Sequence, residues 1–509
     1  MTVWLLGDQL YPNAAPLQSD DHVLMIEAHG FAERMPYHPQ KLTLVFSAMR
    51  HLRDDLRADG YDVTYIEAET FGDGLDDYFA AEPGDSLVLQ RPPSHGAGDE
   101  LRAMVEERGG DCTLVENDLF VTTPGDWDAW LADRDTAGSD GDTFRQEHWY
   151  RHVRRETGVL MDDGEPAGGE WNYDDQNRET PPDGWSPPPV PEFEPDAITR
   201  DVHEFVAERY DDHWGSADLS EFVWPVTREA ALQALEQFLA VRLPEFGPYQ
   251  DAMVEGEWAL DHSLLSPAIN LGLLHPREVV EAVEAAYRED EHDLPLNSVE
   301  GFLRQVLGWR EFMRHVYRES MPGMDEANQL DQTRDLPEAY WTGDTDMLCL
   351  SEAVGHVREH GYAHHIERLM VLANFALIYG ADPHELNRWF HLGFVDAFHW
   401  VTTPNVVAMG SFATDALSSK PYASSANYIN RMSDYCSSCP YYHTKTTGEG
   451  SCPFNALYWD FLRENEETLR GTGRMGLMYS HVDDKGDEEW AAIEERAAEI
   501  REMGADGTL

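Results

Sequence analysis

The sequence predicts two unlike parts: an α/β N-terminal domain built on a parallel, Rossmann-like sheet, and a larger all-α C-terminal domain. Three observations predict this. Short apolar runs alternate with helical patterns up to about residue 120. A stretch dense in Pro, Gly and Asp then extends to about residue 200. Beyond it, long segments carry apolar faces at a 3.6-residue period. The boundaries read as 1–125 for the α/β domain, 126–200 for a connector and 201–509 for the helical domain.

In the first part VWLL (3–6), HVLMIEA (22–28), DVTYIEA (62–68), SLVLQ (86–90) and CTLVE (112–116) read as buried strands. The segments 42–59, 74–82 and 99–109 read as the crossover helices between them. No G-x-G-x-x-G or Walker loop is present, so a dinucleotide or nucleoside-triphosphate fingerprint is absent. A ligand of such a sheet sits at the carboxyl ends of the strands, and the loop GDQL (7–10) is the first candidate. The connector holds TAGSDGD, EPAGGEW and PPDGWSPPPVPEFEP, together with one basic, aromatic run, FRQEHWYRHVRR (144–155), that fits a short surface helix. The segments 227–243, 277–289, 299–319, 365–379 and 382–401 carry the helical periodicity of the last part.

Composition narrows the function. The chain has 509 residues, 42 % of them hydrophobic, with Trp 15, Tyr 21 and Phe 20, which excludes a disordered chain. No apolar run reaches the roughly 18 residues of a membrane helix, and MTVWLLGDQL lacks a basic signal start, so a cytoplasmic monomer with no membrane partner is expected. Lys+Arg 37 against Asp+Glu 96 leaves a net charge of −59, spread through DDHVL, RDDLRADG, EDEHD and DDKGDEEW. Whole-surface acidity of this kind reads as adaptation to a salty cytoplasm, where screening acts over roughly 3 Å at 1 M. It argues against generic polyanion binding unless a local basic patch survives.

Five Cys exclude a disulfide scaffold. Cys436, Cys439 and Cys452 form C-x2-C-x12-C, and Cys349 can complete four thiolates if the fold brings it in. Such a set suits zinc or a [4Fe–4S] cluster, the lone distant Cys349 leaning towards the cluster; reduced core thiols are the bland alternative. Cys112 begins a strand and reads as core. Elsewhere His262–Pro267 combines hydroxyls with a helix start, Gly308–Phe312 sets Trp309 beside Arg310, and His364 and His365 are adjacent. Taken singly, each has an ordinary structural reading as a cap, a core ring or a surface charge.

Together these pieces resemble the cryptochrome/photolyase family, in its branch of prokaryotic (6-4) photolyases that carry an iron–sulfur cluster. The resemblance lies in LGDQL (6–10), FSAMRHL (46–52), GGEWNYDDQNR (168–178), SLLSPAINLGLL (263–274), FLRQVLGWREF (302–312), YAHHIERLM (362–370), residues 389–416 and KPYASSANYINRMSDYC (420–436). It runs in order along almost the whole chain and implies an antenna-binding α/β domain and an FAD-binding helical domain. By motif match, Tyr249, Ser263, Leu264, Leu265 and Ser266 contact the FAD phosphates, Gln305, Trp309 and Arg310 line the flavin cavity, and Arg368 and Asp396 lie near the ring.

The activity implied is light-dependent DNA repair. Reduced FAD passes an electron to a flipped-out (6-4) photoproduct, with proton transfer from His365 supported by His364, and with Tyr422 and Met409 in the lesion pocket. Trp389, Trp341 and Tyr428 are the implied electron carriers. Phe390 stands where a Tyr could relay a proton, and His399 and Thr402 where relatives often have acids. Cys349, Cys436, Cys439 and Cys452 hold the cluster, and Asp8, Glu33 and Tyr37 hold a ribityl-lumazine antenna. UV-damaged DNA is the implied partner, met by a phosphate-binding strip of Lys420, Arg431 and Lys445 with Arg151, Arg154 and Arg155. A cryptochrome-like photoreceptor without repair and a zinc-stabilised flavoprotein of other function are the competing readings.

Overall fold

The computed structural model describes residues 1–14, 16–18, 21–133, 144–182, 184–472 and 475–509. Five parallel strands, β1 (Thr2–Leu5), β2 (His22–Ala28), β3 (Asp62–Ala68), β4 (Ser86–Gln90) and β5 (Asp111–Val115), form a sheet of order β3-β2-β1-β4-β5. They match the expected runs to within one residue at each end, because strands buried on both faces read as continuous apolar stretches. The order reverses between β1 and β4, which places the Gly7–Leu10 loop at the switch point where open α/β sheets hold ligands.

The segment between the two parts differs from its sequence reading. TAGSDGD lies outside the described residues, but Pro124–Asp133 and Gln146–Thr157 are helices. Trp127 and Trp149 are fully buried; Trp127 stacks on His315 of the helical part at 5.0 Å and meets Trp149 at 5.0 Å. The Gln146–Thr157 helix is therefore packed inside rather than lying on the surface. Arg154, only 1 % exposed, donates to the carbonyls of Val159, Leu160 and Trp171, so it is no part of a phosphate-binding strip. The aromatic positions face the core, and the guanidinium satisfies carbonyls where the chain turns back.

The C-terminal part is built on helices joined by loops, and its long periodic segments are interrupted. The 299–319 pattern is Leu296–Leu303, a π-helical turn Arg304–Arg310 and Glu311–Ser320. The 365–379 pattern contains the π-helical turn Glu367–Ala373 ahead of Asn374–Tyr379. The 382–401 pattern is broken outright, into Pro383–Gly393 and His399–Thr403, with residues 394–398 outside both helices. Hydrophobic period survives such interruptions, so the sequence pattern cannot reveal them.

The two parts meet where helix Pro39–Ala58 of the α/β domain begins. Its N-terminal turn faces the C-terminal ends of two helices, Leu348–His360 and Pro383–Gly393. His38 N donates to Leu392 O at 2.9 Å and Gln40 Nε2 to Glu359 O at 2.7 Å. His38 Nδ1 accepts from Gln40 N, so the ring proton sits on Nε2, which donates to Arg358 O at 3.0 Å. Donors at a helix start thus satisfy carbonyls that two helix ends leave open.

Two outcomes follow. Arg154→Ala leaves the Val159 and Trp171 carbonyls unsatisfied, Leu160 O keeping its bond from Ala167 N, and should cost about 2 kcal/mol, whereas Arg155→Ala should be within about 0.5 kcal/mol of the parent in urea denaturation. Burial pushes His38 from 6.5 down to about 4, so the unfolded chain takes up this proton first as pH falls. Its contribution is complete above about pH 6.5 and is lost between about 6.5 and 4, roughly 3 kcal/mol in all. His38→Gln should flatten that part of the stability–pH curve, and an unchanged slope would show that the ring is charged in the fold.

Candidate functional site

The helical part encloses a cavity of about 720 Å³, within the span of small-molecule sites. Three π-helical turns wall it. Arg304–Arg310 contributes Gln305, Trp309 and Arg310; Glu367–Ala373 contributes Arg368 and Met370; Pro404–Gly410 contributes Asn405 and Met409. A π turn widens the helix by one residue and turns side chains that would otherwise stack into the core.

At one wall lies the most closely tied polar group. Asp396, in the break after Pro383–Gly393, accepts two hydrogen bonds of 3.0 Å from Arg368 Nη1 and Nη2 and one of 2.6 Å from Ser266 Oγ. Asn270 Nδ2 donates to its backbone oxygen at 3.0 Å. The bidentate fork fixes both residues, and each charge makes the burial of the other tolerable. The Arg368 guanidinium lies 4.3 Å from the ring centroid of Phe394 and 4.8 Å from that of Tyr362, both cavity-lining.

The adjacent histidines have different surroundings. His365 projects into the cavity; its ring is open to the void while the surrounding walls hold it at about 4, below its ordinary value. His364 points the other way, fully buried, and stacks on His262 at 4.8 Å and 9°. Behind it Glu367, with no exposed surface, accepts from His356 Nδ1 at 3.0 Å and Tyr435 Oη at 2.8 Å, with His364 Nε2 at 3.5 Å. The His356, His364 and Tyr435 partners outweigh burial and hold the Glu367 carboxyl at about 2, while Glu367 holds His356 above its ordinary value. His364 and His365 are thus both neutral at neutral pH, and only His365 can touch a ligand.

The structure brings together Ser263, Ser266, Gln305, Trp309, Arg310, His365, Arg368, Asp396, Met409, Tyr422 and Tyr428 around the one cavity. It does not bring in the other residues expected at the flavin. Leu264 and Leu265 are buried in the core, and the half-buried ring of Tyr249 packs on Trp185 at 5.6 Å. Gln250, one residue on, lines the cavity in Tyr249's stead. Tyr428 lines the cavity with its hydroxyl 3.5 Å from Asp251, whose carboxyl burial raises to about 6.

Trp389 is fully buried, 5.4 Å from Phe390 and 5.9 Å from Phe394, both of which line the cavity. It meets Trp341 through a ring that sequence reasoning missed: Trp214 lies 5.7 Å from Trp389 and 6.4 Å from Trp341, and its Nε1 donates to Trp341 O. Trp214 follows the Pro-rich connector, where no periodicity marks it as a packed ring. In the α/β domain, Asp8 occupies the switch-point loop and burial raises its carboxyl to about 6. Glu33 is engaged by Arg209 at 2.8 Å, and the buried Tyr37 ring packs beside Lys41 and His391.

Cys349, Cys436, Cys439 and Cys452 surround a second, smaller cavity with Tyr435 and His443. Burial and the neighbouring sulfurs push Cys436 up to about 11 and Cys452 up to about 12, so the protein alone does not favour their thiolates. Among the described residues, no three of these Sγ atoms lie within 4.8 Å of one another. Thiolates on one zinc ion, at Zn–S of about 2.3 Å, would stand about 3.8 Å apart. Outside the cavity, Arg151 is paired with Glu147 at 2.7 Å, and Lys445 lies 4.2 Å from the Tyr442 ring. Arg178, Lys420 and Arg431 line the cavity itself.

Residues 3–224 match the family model of the deoxyribodipyrimidine photo-lyase-related proteins. The chain is 38 % identical over 493 residues to a (6-4) photolyase of Agrobacterium fabrum, covering 94 % of both chains. Among solved structures, a class III photolyase from Agrobacterium tumefaciens aligns with a TM-score of 0.57 at 16 % identity, over 98 % of this chain and 97 % of that one. A Synechocystis cryptochrome aligns with 0.57 at 12 % identity over 99 % and 98 %, and an archaeal photolyase from Sulfolobus tokodaii with 0.54 at 13 % over 98 % and 100 %. These structures share the fold, a parallel sheet domain ahead of a helical one. With near-complete coverage at 38 % identity, the chain belongs to the photolyase/cryptochrome family of light-dependent DNA-repair proteins, in its (6-4) photolyase branch.

Proposed function

We propose that the chain is a light-driven (6-4) photolyase that binds FAD in the 720 Å³ cavity and turns a damaged pyrimidine dinucleotide of one DNA strand towards His365. The observation that carries this reading is that His365, Met409 and Tyr422 share one cavity with the Arg368–Asp396 pair. When bound, the flavin would supply the light-driven one-electron transfer. Arg368 and Asp396 would orient its ring system, Gln305, Trp309 and Arg310 would line its sides, and Ser263 would offer a hydroxyl to its polar tail.

His365 would hold and deliver the proton that a (6-4) lesion needs. Its low affinity for protons in the free protein rises beside an entering phosphodiester, so protonation accompanies binding of DNA. His364, neutral and stacked on His262, would keep that ring in place. The Trp341, Trp214 and Trp389 rings offer a route inward for an electron, ending on the Phe390 and Phe394 wall; Phe390 has no proton to give. For the four cysteines we propose a [4Fe–4S] cluster, supported by their convergence around one small cavity. For the α/β domain we propose a ribityl-lumazine antenna near Asp8, Glu33 and Tyr37, supported by the place of Asp8 at the switch point.

Two outcomes test this reading. The purified, flavin-reduced protein should restore (6-4)-damaged oligonucleotides under blue light, and His365→Ala should lower the yield at least about 100-fold while leaving the flavin spectrum unchanged. FAD bound with no product in light would move the chain to a signalling role, and a colourless protein would remove the reading altogether. With Arg178, Lys420 and Arg431 as the phosphate contacts, log K against log salt should have a slope of about −3, measured by anisotropy from 0.2 to about 2 M. A slope near −8 would contradict so small a basic rim on a chain of net charge −59.

A further inference from the structure

We propose that Lys41 is a positioning residue of the flavin cavity: reaching across from the α/β domain, its ammonium clamps the 394–398 turn and so holds Asp396 against Arg368. Lys41 is 6 % exposed and belongs to the sheet domain, yet its Nζ donates to His391 O at 2.9 Å and to Ala397 O at 2.6 Å. These carbonyls bracket the break between Pro383–Gly393 and His399–Thr403. One side chain therefore ties the last turn of one helix to the approach of the next.

The carbonyl of His391 has no helical partner, because the amide four residues on, that of Val395, donates to Gly361 O instead. Leu392 O is taken by His38 N, three residues from Lys41. The 38–41 turn thus supplies the donors that the broken helix end lacks, and a cation is the favoured partner at a helix C-terminus. The ammonium also lies 5.1 Å from the Tyr37 ring centroid and 5.6 Å from that of Phe398, so rings from both domains shield it from water. Burial draws its proton affinity down to about 7, while the Asp396 charge favours the protonated form. An ammonium kept in such a place is costly unless its hydrogen bonds are made.

Between the two clamped carbonyls stands Asp396, whose backbone oxygen and carboxylate are held by Asn270, Ser266 and Arg368. Releasing Lys41 removes the link between the His391 and Ala397 carbonyls and leaves the turn to these groups and the Val395 N bond to Gly361 O. The consequence for flavin binding rests on the function proposed above; the clamp itself does not.

The test is hydrogen exchange of the ligand-free protein followed by mass spectrometry, with Lys41→Met, which keeps the stem and removes the charge, and Lys41→Arg, which keeps donors for both carbonyls. The amides of Phe394, Val395 and Ala397, bonded to Phe390 O, Gly361 O and Phe394 O, should exchange at least tenfold faster in Lys41→Met and return towards the parent rate in Lys41→Arg. Exchange in Leu348–His360 should not change, whereas general loosening of the domain contact would raise both. FAD titration should then show about tenfold weaker binding for Lys41→Met, recovered in Lys41→Arg. Unchanged exchange at 394–397, or equal acceleration everywhere, overturns the proposal. Faster exchange in a protein that binds no FAD leaves the clamp standing and refutes the flavin reading. If Lys41→Met does not fold, Lys41→Gln, whose shorter neutral amide removes the charge, takes its place under the same criteria.

Discussion

Asp396 is where three separate stretches of chain are forced to agree. Arg368 comes from a π-helical turn, Ser266 from the start of a short helix and Asp396 itself from a break between two others. A carboxylate in a walled cavity is tolerable only while its partners stay within hydrogen-bond distance, so each of the three backbones is held to the position the others need. His365 is three residues before Arg368, and the placement of the one fixes the reach of the other into the cavity. The candidate site is in this sense organised outward from one ion pair.

The sheet was readable from sequence, and the irregular parts of the helical domain were not, for one physical reason. Buried parallel strands are apolar runs, whatever their neighbours do, and all five were found. Helical period records which face is buried but not whether the backbone stays regular, so residues 382–401 read as one helix although Asp396 owes its place to the break within them. FRQEHWYRHVRR read as a surface helix because arginine is usually exposed; Arg154 is buried because its donors reach the Val159, Leu160 and Trp171 carbonyls where the chain turns back. Trp214 was missed because it belongs to no periodic segment. The adjacent pair His364 and His365 was visible as a motif, and which ring faces the cavity was not, since that depends on a stack with His262, about a hundred positions earlier.

Charge is distributed by a similar logic. The chain carries −59 overall, yet its interior collects neutral imidazoles: His38, His262, His364, His365 and His391 are all drawn below their ordinary proton affinity, chiefly by burial. His356 moves the other way, its proton affinity raised by Glu367. Cations at the cavity, Arg178, Lys420 and Arg431, therefore face a surrounding surface of opposite sign, and their field is local.

The widened turns at Arg304–Arg310, Glu367–Ala373 and Pro404–Gly410 have a consequence for how such a chamber can change its size. Each contains one residue more than an ordinary helix would use to cover the same length. Removing that residue would restore regular coiling and draw the local wall inward, while the turns on either side keep the register they already have, without any exchange of large for small amino acids. The shape of the chamber therefore depends on residue number along three helices as well as on side-chain size.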